Sequence, residues 1–544
     1  MHKRSAQLKC PQVRKPARKA GSNLVSKRTW IIAGGALLGI VLAGAATLYL
    51  TRGTIRRLIR DATISYLRTR FHSEVEIQDF QVSLRPGVHV VATGVVLRFK
   101  GRTDLPPLIE IRKISMAASL VKLLGSKVTV SDVRLEGLQI HTPPRGAGGP
   151  PLIRATETNL AEKYPVVLDE VTADDAILVP LPKDPAKMPR PFYLHHVEVR
   201  NFRFDQPAEF HATLTNPKPV GEIDCVGQFG PWHADEPSAT PVQAKFSFEH
   251  ADFSTLKGLS GFLSSKGRFK GPLDYLEVEG ETDMPDFELR TAGHAIPLHT
   301  DYSAIVDGTN GDVILKNVTA TFLNTTIVAQ GEVVDLSKDR GRTIKLDAVS
   351  KKGRIEDLLR LSVNTPQPAM TGNVALKTKI DIPERDEDVI ERMLLDGQFA
   401  IGDIRFTNNE IQDRIDTLSH KAQGKPQLGA EGTQVSELRG KFRVEKGIVN
   451  FSNLTFGVEG ASLTMAGTYG IDSGELDFRG KLRMDAKLSQ TMTGAKSIFL
   501  KAVDPFFRKN GATEIPVKIT GTKDEPKYGL DLHDKANQEP AGSK

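Results

Sequence analysis

Thirteen histidines and two cysteines are the residues of this 544-residue chain best suited to hold a metal or move a proton near neutral pH. Their spacing gives them little to do. No H-E-x-x-H, C-x-x-C, G-x-S-x-G, Walker A or G-x-G-x-x-G run occurs. His195 and His196 are adjacent at the head of a run with strand character, where neighbouring side chains face opposite ways, so one ion could not easily take both. They read as a surface pair on an edge strand. Gly258-Leu259-Ser260-Gly261 lacks the spacing of a nucleophile elbow, and Gly146, Gly148 and Gly149 sit among prolines rather than between a strand and a helix. Glu384, Asp386, Glu387, Asp388 and Glu391 open a helical stretch, where carboxylates favour the positive end of the helix dipole. The expectation is a non-enzymatic protein with no catalytic residues, no metal and no cofactor.

The elements that would position any site begin with an anchor. The formal charge is +7 and the isoelectric point about 9.1. Nine of the 73 Lys and Arg residues lie in residues 1–29, and the first acidic residue is Asp61; removing those nine leaves 64 basic against 66 acidic residues. A nearly neutral body argues against a nucleic-acid partner. Trp30 to Leu50 is an uncharged run of 21 residues. As a helix it spans about 31 Å, matching a bilayer core. Trp30 and Tyr49 stand where interfacial aromatics belong, with Arg52, Arg56 and Arg57 on the far flank. The more basic first flank places the N-terminus in the cytoplasm and the body across the membrane. A cleaved signal peptide ending near Ala43-Gly44-Ala45 is the competing reading, against which the run is long. Cys10 and Cys225 then lie on opposite sides of the membrane, so neither an intrachain disulfide nor a cysteine metal site is expected.

Thr54 to Phe71 sets Ile55, Leu58, Ile59, Ala62, Tyr66 and Leu67 at helical spacing among arginines, a basic amphipathic helix. It either lies on anionic headgroups or plugs one end of the body. From Val75 onward the period falls to two, and turn residues interrupt it every several positions. Between Leu438 and Met484, Phe442, Val444, Val449, Phe451, Leu454, Phe456, Leu463, Met465, Leu476 and Phe478 alternate with polar residues, as antiparallel strands with one buried face require. A six-residue signature, apolar-x-Asp/Asn-apolar-x-apolar, starts at Ile77, Val130, Val199, Leu315, Ile401 and Phe451. Its phase slip predicts a bulge or corner at the Asp or Asn. Residues 311–331 and 447–467 both run from glycine to glycine with Asn317 and Asn453 at matching offsets, a reused unit. Short helices are expected at Ser119–Leu124, Asp386–Leu395, Asn409–His420, with Ile411, Ile415 and Leu418 on one face, and about Leu488–Arg508, broken near Asp504-Pro505. Pro143–Pro151 and Pro180–Pro191 read as surface loops.

The single span, the amphipathic helix, VEIQDFQVSLRPGVHVVATGVVLRF and VTVSDVRLEGLQI together resemble the start of AsmA-like proteins of Gram-negative envelopes. GQFAIGDIRFTNNEIQDRIDTLSHKAQG, the strands from Glu437 to Met484 and IPVKITGTKDEPKYGL resemble that family's C-terminal region. The resemblance covers about residues 30–532 and is weakest between about 145 and 300. It implies a mainly β protein: an elongated, curled antiparallel sheet, gutter-like, with an apolar inner face and a few short helices, related to the bridge-like lipid transfer proteins. The organisation expected is a cytoplasmic basic tail (1–29), a transmembrane helix (30–50), a juxtamembrane amphipathic helix (51–72), an N-terminal AsmA-like β region (73–142), a central β region with Pro-rich loops (143–380), a C-terminal AsmA-like β region with helices (381–533) and a disordered tail (534–544). The implied location is the bacterial inner membrane with the body in the periplasm. The implied partners are membrane phospholipid and envelope proteins, and the implied role is phospholipid transfer or envelope maintenance. The ten alternating residues from Phe442 to Phe478 are the groove candidates. A closed, non-enzymatic scaffold or assembly factor is the alternative. About 30 strands would give a trough of about 140 Å at most.

Overall fold

A computed structural model describes residues 53–54, 56–83, 87–118, 128–148, 166–217, 219–290, 292–335, 342–385, 387–429, 435–492, 504–509, 511–523 and 525–531. Trp30–Leu50, with Trp30, Tyr49 and also Arg52, the helix expected at Ser119–Leu124 and the tail from 534 lie outside them. The chain divides into residues 1–62 and 63–544. In the first unit, residues 56–62 are helical, Arg56 and Arg57 are exposed, and Arg57 Nε donates to the Gly53 carbonyl at 3.4 Å. Among the described residues no helix is long and apolar enough to cross a membrane.

The second unit is mainly β, a large curled half-barrel sheet with few short helices. It holds 26 strands, three of which, Val128–Val130, Leu259–Ser260 and Arg508–Lys509, are fragments of two or three residues. The other 23 follow one another as neighbours from Ser73–Ser83 to Pro526–Leu530. That is fewer than the 30 expected, because loops such as 230–241 and 253–261 carry apolar residues without adding a long strand. Measured along the sheet, 23 strands span about 105 Å. Every long neighbouring pair is antiparallel except Asp132–Thr142 with Val166–Pro180. A parallel pair must send the chain back to the starting end, which is what the connection opening with Pro143 does.

One face stays apolar throughout. Val75, Ile77 and Phe80 lie opposite Leu97, Val95 and Ala92, and at the other end Phe478 and Leu482 lie opposite Ile519 and Ile515. The bulges keep the phase. Register breaks fall between Leu315 and Val318, Ile401 and Ile404, and Phe451 and Leu454, three of the six signature sites. Asn201 and Asp403 take φ of 52° and 55°, the left-handed region that Asn and Asp tolerate. The Ile77 instance pairs with no break, so the pattern is permissive there. The two glycine-to-glycine units are alike: each is a hairpin joined by two residues, Asp312–Phe322 with Thr325–Val334 and Ile448–Val458 with Ala461–Gly470, bulged near Asn317 and Asn453.

The curl brings opposite ends of distant strands together. His72, at the start of the first strand, lies 2.7 Å from Asp235; Arg145 meets Asp274 at 3.1 Å; Lys187 meets Asp312; Arg290 meets Asp388 at 3.7 Å. Backbone bonds join Arg190 N–H to Thr309 O at 2.9 Å and Val389 N–H to Lys257 O at 3.3 Å. In each case a loop on one rim touches a loop on the other rim, typically about seven strands further along. The six contacts span five to eight strands, about the girth of a small barrel, whose interior side chains nearly fill.

The helices depart from expectation in length and facing. The acidic stretch gives only Val389–Arg392, capped by Asp388, whose carboxylate accepts from Ile390 N–H at 3.1 Å. At the two ends of the stretch Leu488–Arg508 stand a 3-10 turn at Leu488–Thr491 and a helical turn at Asp504–Phe507, and residues 493–503 between them lie outside the described residues. The helix Asn409–Ala422 corrects the expected face: Ile411 is exposed, and the buried side chains include Gln412, Asp416, Ser419 and His420. Its apolar residues Leu418 and Ala422 do reach the sheet, against Ala461 and Met484.

Candidate functional site: an apolar trough

The ten groove candidates fall into four rows that cross the sheet at right angles to its strands. Leu454 and Met465 belong to the row Phe399, Gly440, Leu454, Met465, Gly480, Val517. Phe442, Phe451 and Phe478 belong to Gly397, Phe442, Phe451, Gly467, Phe478, Ile519. Val444, Val449 and Leu476 share a row with Leu395 and Tyr469, and Phe456 and Leu463 share one with Ile401, Leu438 and Leu482. All ten therefore line the same face.

Glycines set the shape of that face. A Cβ on Gly480 would stand 2.0 Å from the Thr464 carbonyl oxygen, and one on Gly467 would stand 2.2 Å from the Asp477 oxygen. A Cβ on Gly397 would meet the Phe442 ring at 2.8 Å. Neighbouring backbones approach closely there, and rings lie over the bare strand. Phe451 reaches Phe478 across Gly467 with centroids 5.8 Å apart, and Phe399 reaches Phe451 at 6.3 Å although a strand lies between them. Two strand spacings are about 9.6 Å, so the rings converge and this side is concave. The sequence signal is Gly-x-aromatic, as in Gly397-x-Phe399, Gly440-x-Phe442 and Gly467-x-Tyr469. The alternation alone did not single these glycines out.

Burial differs along the trough. Val75, Ile77, Phe80, Val95 and Leu97 in the first two strands are each below 8% exposed. In the last strands only Val444, Met465 and Phe478 of the ten candidates are buried; the other seven are half-buried. The two longest helices after the first strand both stand on one rim, Ile355 and Leu358 packing on Val374, Ile401 and Ile404, and Leu418 and Ala422 on Ala461 and Met484. At the opposite end of the chain, Tyr66 and Phe71 pack edge-on against Phe204, and Phe71 against Trp232. Burial raises the Tyr66 phenol's pKa. That contact matches the plug reading of the amphipathic helix for its second half.

The chain matches no protein-family model, and no curated protein is significantly similar to it. The face itself carries little chemistry. Its main polar interruption is a hydroxyl group cluster: Ser265 Oγ donates to the Glu281 carbonyl at 2.8 Å, with Tyr302 Oη 3.0 Å and Thr282 Oγ1 3.3 Å away. Cys225 faces the trough between Ala212 and Phe246, and burial pushes its thiol up to about 12. Among the described residues no group of His, Cys, Asp or Glu is arranged to hold a metal. His195 Nε2 lies 2.6 Å from Thr215 Oγ1, and His196 Nδ1 lies 2.7 Å from Asp174 Oδ1, so the two rings part company. Their strand, Phe192–Phe202, is paired on both sides and is not an edge, contrary to expectation. Gly258 and Gly261 take φ of 92° and 120° in a loop beside Asp388 and Asp286, with no helix following.

Proposed function

We propose that this chain is a membrane-anchored, non-enzymatic carrier for the acyl chains of phospholipids, of the AsmA-like kind, working in the bacterial periplasm from an inner-membrane anchor. The observation that carries the reading is the half-exposed apolar face of the last strands, built from Phe442, Phe451, Leu454, Phe456, Leu463 and Leu476. Exposing a lipid tail to water costs about 0.8 kcal/mol per methylene, on the order of 25 kcal/mol for two chains of about 16 carbons. A concave apolar strip removes much of that cost without binding any one lipid tightly, because it offers few directional contacts. A second reading, an envelope spacer with a shut core, is favoured by the rim-to-rim pairs such as Arg145–Asp274 over the earlier strands. Mass spectrometry of lipid bound to the full chain in detergent separates the two. The carrier reading expects bound phospholipid that disappears when Phe442, Phe451, Phe456 and Phe478 are replaced together by Asp, with strand content retained by circular dichroism. Equal lipid in the folded variant and the parent would leave only lipid around the anchor and reject it.

A further inference from the structure

Along much of the outer face, cations stand directly opposite carboxylates. Lys113 pairs with Glu136 at 2.7 Å, Arg268 with Glu279 at 2.6 Å and Lys270 with Glu277 at 3.2 Å. One stretch departs from this pattern. Across the five strands from Thr343–Arg354 to Ile448–Val458, a depression of about 550 Å³ is walled by Lys351, Lys377, Arg439 and Lys441, and no carboxylate lines it. It lies on the polar side: Lys377, Gln398 and Lys441 form one exposed row, while the trough residues Leu376 and Phe399 alternate with them. Among the described residues none of the four cations is in an ion pair. The flanking carboxylates stand in the adjacent rows: Asp396 opposite Lys379 and Arg443, and Glu437 two residues before Arg439 on the same face.

The depression has a structural cause. Ala375 lies opposite Ala400, and Ala400 opposite Arg439, so two small exposed side chains sit at the centre of a ring of long ones. Alanine is a poor choice for the solvent side of a central strand, where β-branched and longer residues stabilise cross-strand pairs. Four unpaired cations around a gap also repel one another, at a cost that a bound anion would relieve. Lys377 and Lys441 are two strand spacings apart, about 9.6 Å. One phosphate would not reach both sides, whereas two would.

We propose that this depression binds a ligand carrying two phosphate groups, one on the Lys351 and Lys377 side and one on the Arg439 and Lys441 side, with Gln398 between them. The guanidinium of Arg439 offers two parallel donors to one phosphate, and the ammonium groups act as point charges. The shared chemistry comes either from a soluble sugar bisphosphate or from a bisphosphate lipid headgroup. The site stands apart from the trough and does not depend on what the trough carries.

Calorimetry on the full chain in neutral detergent tests it with three probes: fructose 1,6-bisphosphate, inorganic phosphate, and the same micelles containing cardiolipin. Either bisphosphate binding about tenfold or more tightly than inorganic phosphate is the expected result. Binding of the sugar compound assigns a soluble source, and binding of cardiolipin alone assigns a lipid source. Lys377→Ala with Lys441→Ala should weaken that binding about tenfold or more. Ala400→Leu should do the same by filling the floor with every cation in place. Arg479→Ala with Lys518→Ala, which removes equal charge elsewhere on this face, should change nothing, and the four Phe→Asp changes in the trough should leave it intact. Binding by neither bisphosphate overturns the proposal. So does equal loss in the Arg479/Lys518 control, or an Ala400→Leu variant that binds normally.

Discussion

Two glycine-to-alanine substitutions in one sheet should have opposite signs. In an ordinary strand the change is stabilising by about 0.5–1 kcal/mol, because alanine has less backbone freedom to lose on folding. Gly457 is such a position: a Cβ there meets nothing within 4 Å. At Gly480 the added Cβ would stand 2.0 Å from the Thr464 carbonyl oxygen and 2.8 Å from Met465 Cα, both on the neighbouring strand. Ordinary contact needs about 3.4 Å, so backbone on one side must move by more than about 1 Å, in a row where Leu454 and Met465 already pack. Overpacking of that kind costs about 1–3 kcal/mol, which outweighs the entropic gain and leaves Gly480→Ala less stable by about 1–2 kcal/mol. The two variants should therefore differ by about 2 kcal/mol. Urea unfolding of the full chain in detergent, followed by strand ellipticity, gives the comparison directly. A Gly480→Ala protein as stable as Gly457→Ala would mean that the curl does not depend on bare backbone at the trough floor.

Three other outcomes follow from individual contacts. Asp357 is buried in the first turn of the helix Ile355–Ser362 and accepts from Asn324 N–H at 2.9 Å and from the Thr325 hydroxyl at 2.8 Å; Asp357→Ala should destabilise by about 2–4 kcal/mol and Asp357→Asn by less, read from the same urea midpoints. With its pKa near 12, Cys225 is a protonated thiol at neutral pH, so in a Cys10→Ser background maleimide should label the native protein far more slowly than the urea-unfolded one, and equal rates would refute its burial. His299 is held above its ordinary pKa chiefly by the hydrogen bond that its Nδ1–H donates to Asp283 Oδ1 at 2.7 Å. The folded state thus binds its proton more tightly. That contribution is complete below about pH 6.5 and is lost as pH rises through the folded pKa, and Asp283→Asn should flatten this part of the stability profile.

The parts of the fold that depend on local period were legible. Alternation placed Phe442, Phe451 and Phe478 on one face because successive strand residues point opposite ways, and the slip at Asn453 could be read from three apolar positions that a regular strand cannot align. Contacts set by the curl were not legible. His72 and Asp235 are 163 residues apart, and nothing near either residue specifies how many strands complete a turn. The glycines were read as punctuation between strands, whereas Gly397, Gly440, Gly467 and Gly480 lie inside them; the same residue type serves both needs. The Asn409–Ala422 helix misled because its buried side pairs polar groups, Gln412 Nε2 donating to Asp416 Oδ1 at 3.0 Å, so hydropathy pointed to the opposite face. The edge reading of His195-His196 fails because strand neighbours are decided by the sheet as a whole, and Phe192–Phe202 has one on each side.

Coiling also accounts for where the trough is exposed. A coiled ribbon meets its own opposite rim some strands further along, so successive pairs should advance together along the two rims. The pairs obey this order: His72, Arg145, Lys187 and Lys257 on one rim find Asp235, Asp274, Asp312 and Val389 on the other, each further along than the one before. Those pairs end at Val389, although seven long strands follow it, from Leu394–Phe406 to Pro526–Leu530. There the helices Asn409–Ala422 and Leu488–Thr491 cover the apolar face at its border, and the rows through Phe442, Phe451 and Leu454 stay half-exposed. The openness of the C-terminal strands thus goes with the end of the rim-to-rim pairs rather than with a weaker apolar pattern, which is equally strong in the first strands. Under the proposed carrier function, acyl chains would enter and leave at these last strands.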